Sequence, residues 1–383
     1  MRTPGWALAA VCCAGMCSGL KLPDGRDVDR SALWTRGGAD LISGFRNMYN
    51  LHVIDEGGGP FRYRGWMFGW ATTDCNRNIP GYRGCDAIFA ARAPALDGPW
   101  QVWGGDRGWV SAERPDLWRP VVAPQNTYYD SWHNGDPSVV RWKGRYYMAY
   151  SSVGRNLDGK LYGEAGDADG TLLCVMGAVS KDGIVWERTK APILLHRADV
   201  GAPGIAGGEA HLYGSYHRPS LMRDGGKWKL WFDYWAGGEK GLSMGYAENS
   251  GDFADPGEWR ALRADDHPAL QQFPNPDVVK TAGVYLAYGD PPVLGTHPWT
   301  ARAITEAVSR NGIDWTVLGH VTPDAGVPAI HVPEALVQRT KAGVQIHLFY
   351  ACQIGGRPYD YRYRSLRRMW RTLSRADIAA ARR

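Results

Sequence analysis

Short apolar stretches, each opened by a proline and broken by a glycine turn, recur along this chain with polar residues alternating between the apolar ones. Four of them read "DPSVVRWKGRYYMAYSS" from Asp136, "RPSLMRDGGKWKLWFDYW" from Arg218, "NPDVVKTAGVYLAYGD" from Asn275 and "VPEALVQRTKAGVQIHLFYA" from Val332. In the first three the glycine falls seven residues after the proline and an aromatic nine after it: Gly144 and Tyr146, Gly226 and Trp228, Gly283 and Tyr285. The fourth has a turn three residues longer, with its glycine at Gly343. A looser fifth copy, "DEGGGPFRYRGWMFGWA", begins at Asp55. Runs this short and this rich in aromatics make strands rather than helices.

Each copy leads into a further strand: "CDAIFAARAPALDGPW", "LLCVMGAVSKDGIVW", "LSMGYAENSGDFADPGEW", "AITEAVSRNGIDW" and "YDYRYRSLRRMW". Two of these share Ser-x-x-Gly-x-x-Trp, Ser180 to Trp186 and Ser309 to Trp315. Groups of strands repeating every roughly 57 to 80 residues are the pattern of propeller blades. Radial repetition also leaves only short, protected edges. The chain is therefore expected to be all-β, a five-bladed β-propeller over residues 47–372. A lead-in at 20–46 precedes it, and a basic tail at 373–383 is able to form a short helix. No second domain is suggested.

Composition sharpens this picture. The 383 residues are 44% hydrophobic, enough for a sizeable core. The 18 Trp, 19 Tyr and 49 Gly favour strands and tight turns, which supports the all-β reading. A net charge of +5 with no Lys/Arg block argues against nucleic acid as a partner. At the N-terminus, Met1-Arg2-Thr3, an apolar stretch from Trp6 to Met16 and then Cys17-Ser18-Gly19 describe a signal peptide over 1–19. That run is too short to span a bilayer, so the mature chain is expected to be secreted or periplasmic, without a transmembrane segment. Cys75 and Cys85 bracket "CNRNIPGYRGC", a loop that a disulfide would close in an oxidising compartment. Cys174 and Cys352 sit in apolar runs and read as buried thiols. No CxxC pair occurs, and no zinc site is expected.

In a propeller the innermost strand of each blade runs beside a central channel, and the residues at its start line one mouth. Those positions read Asp55/Glu56, Asp136, His217/Arg218, Asp277 and Glu334. One acid at a strand start commonly caps a turn. Acids in four of five copies point instead to carboxylates converging on a pocket.

These blade motifs resemble glycoside hydrolase family 43 over most of residues 47–372. The family's first-blade motif, an Asp-Pro before an apolar strand and a Tyr-Tyr, is similar to Asp136-Pro137-Ser138 with Tyr146-Tyr147. The segment "SKDGIVW" is similar to its Ser-x-Asp-Leu-x-x-Trp strand end. The resemblance implies inversion at arabinofuranosides or xylosides, with an Asp base, a Glu acid and a second Asp that tunes the acid. Asp136 then becomes the base and Glu334 the acid, with Asp277 and Asp55 as tuning or sugar-hydroxyl ligands. The sequence departs from the family in the third copy, where His217 in "HRP" replaces the expected Glu-x-Pro. A related five-bladed family that cleaves agar-derived sugars is similar in using a histidine acid, which makes His217 the rival acid. "WHNGDPS" is also similar to the Trp-x-Asn-Asp-Pro-Asn of fructan-cleaving relatives, but Gly135 intervenes and their Arg-Asp-Pro and Glu-Cys motifs are missing.

Other residues fill out the candidate site. Trp132 and His133 flank Asp136, where Trp132 would stack on a sugar ring or else join the core. Arg218 is placed to pair with a pocket carboxylate through its planar fork. Glu209, in "GGEAHLYGSYHRP", is a loop candidate for the acid's work. His52, His211 and His331 lie near blade starts, and one of them could hold a structural Ca2+ through water. No other cofactor is suggested, and a lone histidine is more often a hydrogen-bonded core residue. The leading function is a secreted glycoside hydrolase acting on plant or algal oligo- or polysaccharides. Two alternatives stay open: a non-catalytic sugar-binding propeller, and a propeller-type phosphorylase. The phosphorylase needs a basic cluster, for which only Arg218 and His217 stand at the mouth.

Overall fold

The computed structural model describes residues 28–44, 48–70, 86–125, 127, 129–130, 133–156, 171–196, 216–236, 241–291, 302–322, 329–341, 343–353 and 363–380. The leader, Cys75 and Cys85, Trp132, Glu209 and His211 lie outside the described residues. Two short strands come first, β1 (Thr35–Arg36) and β2 (Ile42–Ser43). An antiparallel group follows: β3 (Tyr49–Asp55), β4 (Tyr63–Trp70), β5 (Asp86–Ala93), β6 (Gln101–Trp103) and β7 (Trp109–Ser111). The next is β8 (His133–Trp142), β9 (Arg145–Asn156), β10 (Thr171–Ser180) and β11 (Trp186–Arg188). One parallel bridge, Asp86 to His133, joins these two groups into a nine-stranded sheet. Two four-stranded sheets come after: β12 (His217–Asp224), β13 (Lys227–Trp235), β14 (Leu242–Asn249) and β15 (Trp259–Arg263), then β16 (Asp277–Thr281), β17 (Val284–Gly289), β18 (Ile304–Ser309) and β19 (Thr316–Val321). The last sheet holds β20 (Ile330–Thr340), β21 (Gly343–Gln353) and β22 (Tyr363–Thr372), with β1 and β2 added to β22. A short α-helix, α1 (Arg375–Ala380), ends the described chain.

The protein is all-β, as its alternation predicts. The fixed distance from proline to glycine has a simple cause. Trp142 pairs with Arg145, Asp224 with Lys227 and Thr281 with Val284, so each hairpin turns on two residues. Both turn residues have positive φ in all three: Lys143 and Gly144, Gly225 and Gly226, Ala282 and Gly283. Such turns match the right-handed twist of the flanking strands.

The first strands of the five groups, β3, β8, β12, β16 and β20, touch one another in cyclic order, with β20 returning to β3. Five apolar clusters fill the spaces between neighbouring groups. One, around Met67, Phe89 and Trp118, also takes in Phe349, Ala351 and Leu366 from the last sheet. Another packs Trp231 and Tyr246 against Tyr285 and Ala307. The Ser-x-x-Gly-x-x-Trp segments latch these interfaces. Ser180 Oγ accepts the N–H of Gly183 at 2.9 Å, and Ser309 Oγ accepts that of Gly312 at 2.9 Å. The carbonyls of those glycines then accept the indole N–H of Trp66 at 3.0 Å and of Trp231 at 2.7 Å from the neighbouring group. Gly183 and Gly312 have φ of 73° and 81°, and a Cβ on either would meet the indole at under 3 Å, so only glycine fits.

The two ends of the described chain close on each other. Thr35 pairs with Trp370 and Ile42 with Leu366. Arg30 bonds both Glu306 and Asp377, which Arg371 also binds, so four buried or half-buried charges neutralise one another. Among the described residues no helix is long and apolar enough to cross a membrane.

Candidate active site

Near the start of each group the chain makes the same irregularity. Asn50, Asp136, Arg218, Asn275 and Val332 all have positive φ, between 47° and 58°. Four of them sit at a register shift between the first strand and its partner. A β-branched residue such as Val332 rarely adopts this backbone, and strain of this kind persists only where the surroundings enforce it. These five residues form one level around the axis; the residues two further on, His52, Ser138, Ser220, Asp277 and Glu334, form a second.

The second level is a closed ring of hydrogen bonds between successive groups. Ser138 Oγ accepts the N–H of Leu221 at 2.9 Å, and Ser220 Oγ that of Val278 at 2.9 Å. Asp277 accepts the N–H of Ala335 at 2.6 Å and the hydroxyl of Ser220 at 2.8 Å. His52 donates from Nε2 to the carbonyl of Val139 at 2.9 Å, which leaves Nδ1 as an acceptor facing Glu334 Oε2 at 2.8 Å. Burial, reinforced by the charges of Asp277 and Asp136, pushes Glu334 well above the usual carboxyl range. Burial likewise lowers His52. The consistent state is a protonated Glu334 donating to a neutral His52.

His52, Asp277 and Glu334 bring three potential ligand atoms within 4.8 Å of one another. Those atoms are already spent on one another, on the Ser220 hydroxyl and on the backbone, and none is orphaned among the described residues. Ca2+ asks for six or more oxygens. The trio fits a structural ring better than a calcium cage.

The first level opens onto a polar cluster. Arg218 reaches Asp136 Oδ2 from Nε at 4.0 Å and Asp233 Oδ2 from Nη1 at 3.3 Å. The carboxylate of Asp233, wholly buried, accepts the N–H of Asn275 at 2.9 Å; its Oδ1 lies 2.8 Å from His217 Nδ1, which donates to the Asp233 backbone carbonyl at 3.1 Å. Asp290 repeats the pattern one group on. It takes the N–H of Val332 at 2.9 Å, the side chains of His331 and Asn275, and Arg302 at 3.2 Å. A third pair joins His133 Nδ1 to Asp86 Oδ2 at 2.6 Å. The charges of His217 and Arg218 hold Asp233 below its ordinary pKa despite its burial. Asp86, helped by Asp136, raises His133 against its burial. For His331 burial wins and the pKa falls. Asp136 is 3% exposed, yet its Oδ1 has no hydrogen-bond partner among the described residues.

The structure thus gathers Asp136, Arg218, His217 and His133 around one mouth. It separates the remaining carboxylates. Asp55 is corrected outright: it ends β3, at the far end of that strand from the mouth, and its carboxylate is held by Arg62 at 2.5 Å and by the N–H of Gly57 at 2.9 Å. The first group's strand begins instead at Tyr49-Asn50, which carries neither proline nor acid. Asp277 and Glu334 follow their prolines whereas Asp136 precedes its own, so they lie in the ring one level deeper. Asp233 and Asp290 are residues the sequence reading missed, and Asp86, which reads in sequence as a structural loop residue, instead begins β5. Their one sequence signal is a carboxylate at the end of an apolar strand or inside it, as in "WFDYW".

No protein-family model matches this sequence, and no curated protein does. Solved structures with the same fold are numerous. The family 117 glycoside hydrolase Zg3597 of Zobellia galactanivorans superposes with a TM-score of 0.56 at 12% identity, over 90% of this chain and 91% of that one. A thermostable family-43 glycoside hydrolase gives 0.52 at 13%, over 86% and 89%. The α-L-arabinanase of Cellvibrio cellulosa, complexed with arabinohexaose, gives 0.50 at 12%, over 87% and 98%. At such identities the likeness is one of fold.

Proposed function

We propose that this protein is a glycoside hydrolase, built as a five-bladed propeller, that cleaves plant or algal oligo- or polysaccharides at arabinofuranoside- or xyloside-like linkages with inversion. The cyclic contacts of the five first strands, the five interleaved clusters and the hydrogen-bonded ring support the five-bladed reading. The shared fold with glycoside hydrolases supports the reaction class. One observation carries the site: a buried carboxylate oxygen of Asp136 without a partner, beside a guanidinium and within a mouth lined by imidazoles. A buried polar atom left unpaired is costly, and this one stands beside Arg218 at the start of a first strand. A water or sugar hydroxyl bound there would satisfy it.

In this mechanism Asp136 takes a proton from the attacking water while an acid on the other side of the bond protonates the leaving oxygen. Glu334 fits the acid role poorly, because its proton is committed to His52 one level below. His217 fits better. Its Nδ1–H is fixed on Asp233, which leaves Nε2 as the proton-carrying edge. His133 is a second candidate, favoured by its raised pKa and by a side chain 17% exposed against 5% for His217. Arg218 would orient Asp136 and meet a sugar oxygen. Export, proposed from the basic-apolar-small leader, makes a polysaccharide outside the cell the natural substrate.

The test is a screen of aryl glycosides and polysaccharides, with products followed by NMR for the anomer first released. Release of the inverted anomer from an arabinofuranoside or xyloside supports the reading. Binding without turnover of any glycoside would favour the sugar-binding alternative, and strict dependence on phosphate the phosphorylase.

A further inference from the structure

Arg64 and Arg92 stand directly opposite each other on β4 and β5, at the end of these strands remote from Asp86 and the mouth. Like charges opposed across an antiparallel pair destabilise a sheet. Here both guanidiniums lie against rings. Arg92 is 3.7 Å from the centroid of Phe61 and 4.5 Å from that of Trp109, and Arg64 is 5.3 Å from Trp109. The rings attract the cations but supply no negative charge.

The hydrogen bonds made by the two side chains do not supply it either. Arg92 donates from Nε to Gln101 Oε1 at 2.8 Å, and Arg64 from Nη1 to the carbonyl of Asp182 at 2.8 Å. Among the described residues neither has a carboxylate partner, and three acids nearby are engaged elsewhere. Asp55 is held by Arg62; Glu56 takes Tyr146 and Arg141; the carboxylate of Asp182 caps the N–H groups of Ile184 and Val185. Burial, and then the charge of Arg64, holds Arg92 below its ordinary pKa. A cleft of about 320 Å³, which adjoins Arg64 through the Asp182 carbonyl, is lined by Arg145, Lys181, Asp182, Val185, Trp186 and Glu187, with Val185 74% exposed. That size is at the lower end of pockets that hold organic ligands.

We propose that this face is a second binding site, for an acidic polysaccharide whose carboxylate or sulfate pairs with the Nη edges of Arg92 and Arg64 while a neighbouring sugar enters the cleft against Trp186. Stacking between two rings fixes the plane of a guanidinium and leaves its edge donors for a planar oxyanion. An anchor remote from the mouth raises the local concentration of polymer around the same molecule. The choice of a saccharide rests on the hydrolase reading; the oxyanion chemistry does not.

The experiment is titration calorimetry on the full protein with polygalacturonate, a sulfated galactan, a neutral arabinan and inorganic sulfate, at low and high salt. Binding of either acidic polymer, weakened by salt, is expected, and Arg64→Gln with Arg92→Gln should weaken it tenfold or more. Arg92→Lys keeps the charge and loses the fork, so it should also weaken binding while its melting curve stays near that of the parent. Turnover of a small neutral aryl glycoside should be unchanged in both variants. Unaltered polymer binding by the double variant, or inorganic sulfate binding as tightly as the polymers, overturns the proposal. Binding is read without hydrolysis, so a protein that holds polyuronate and cleaves nothing sinks the hydrolase reading alone.

Discussion

The Nε of Arg218 lies 4.0 Å from Oδ2 of Asp136. Through its other end the same guanidinium holds Asp233, so a single cation ties the candidate base to the carboxylate that orients His217.

Replacing Asp136 with Asn keeps its shape and hydrogen-bonding reach but removes the proton acceptor. Turnover should fall by about 10²–10⁴ with binding largely retained. Steady-state kinetics on the best aryl glycoside, with calorimetry on an uncleaved oligosaccharide, give both quantities. A variant that turns over at the parent rate moves the base elsewhere.

His217→Gln and His133→Gln separate the two candidate acids. Loss of the acid should slow substrates with poor leaving groups by about 10²–10⁴ and hardly affect a dinitrophenyl glycoside, whose leaving group needs no proton. The true acid's variant should also lose the alkaline limb of the pH–rate profile. If both variants keep the full dependence on leaving group, neither imidazole is the donor.

Asp277→Ala tests the ring. It strands the N–H of Ala335 and the hydroxyl of Ser220 in a buried place, at about 1–3 kcal/mol for each orphaned donor. Ser220→Ala should also cost stability, since it leaves the N–H of Val278 without this acceptor and Asp277 without this donor. Urea unfolding curves measure both. Near-equal stability of all three proteins would show that the ring contributes nothing.

His347 gives the fold a dependence on pH. Arg368 donates from Nη1 to His347 Nδ1 at 2.8 Å, and burial together with that fixed positive charge lowers the imidazole to about 4. The unfolded chain protonates it near 6.5, so folded protein binds fewer protons between these values. The stability that this neutral histidine supports is complete above pH 6.5 and is lost as pH falls towards 4, on the order of 3 kcal/mol in all. Unfolding free energies at pH 7 and pH 4.5 should differ less in His347→Gln than in the parent. An identical slope in both proteins would remove this residue from the account.

The sequence by itself determined the strand class and pointed to candidate residues for the mouth. Two-residue turns force a fixed spacing from proline to glycine, and alternation with aromatics leaves little but strands, so the five groups could be read from the chain in order. Asp136, His133, His217 and Arg218 were legible because they stand within a few residues of a proline that opens a first strand. Tertiary structure decided the rest. Asp136 precedes its proline while Asp277 and Glu334 follow theirs, and only the positive-φ residue near each strand start shows that this offset puts them on different levels. Asp55 drew attention as an acid beside glycines, but the first group begins at Asn50, which has no such marker. Asp86, Asp233 and Asp290 lie in or beside other strands, between 15 and 47 residues from the histidines or loop residues they hold, and no local pattern links those positions. Sequence fixes which face of a strand is buried; what meets across the axis depends on how the sheets pack side by side around it.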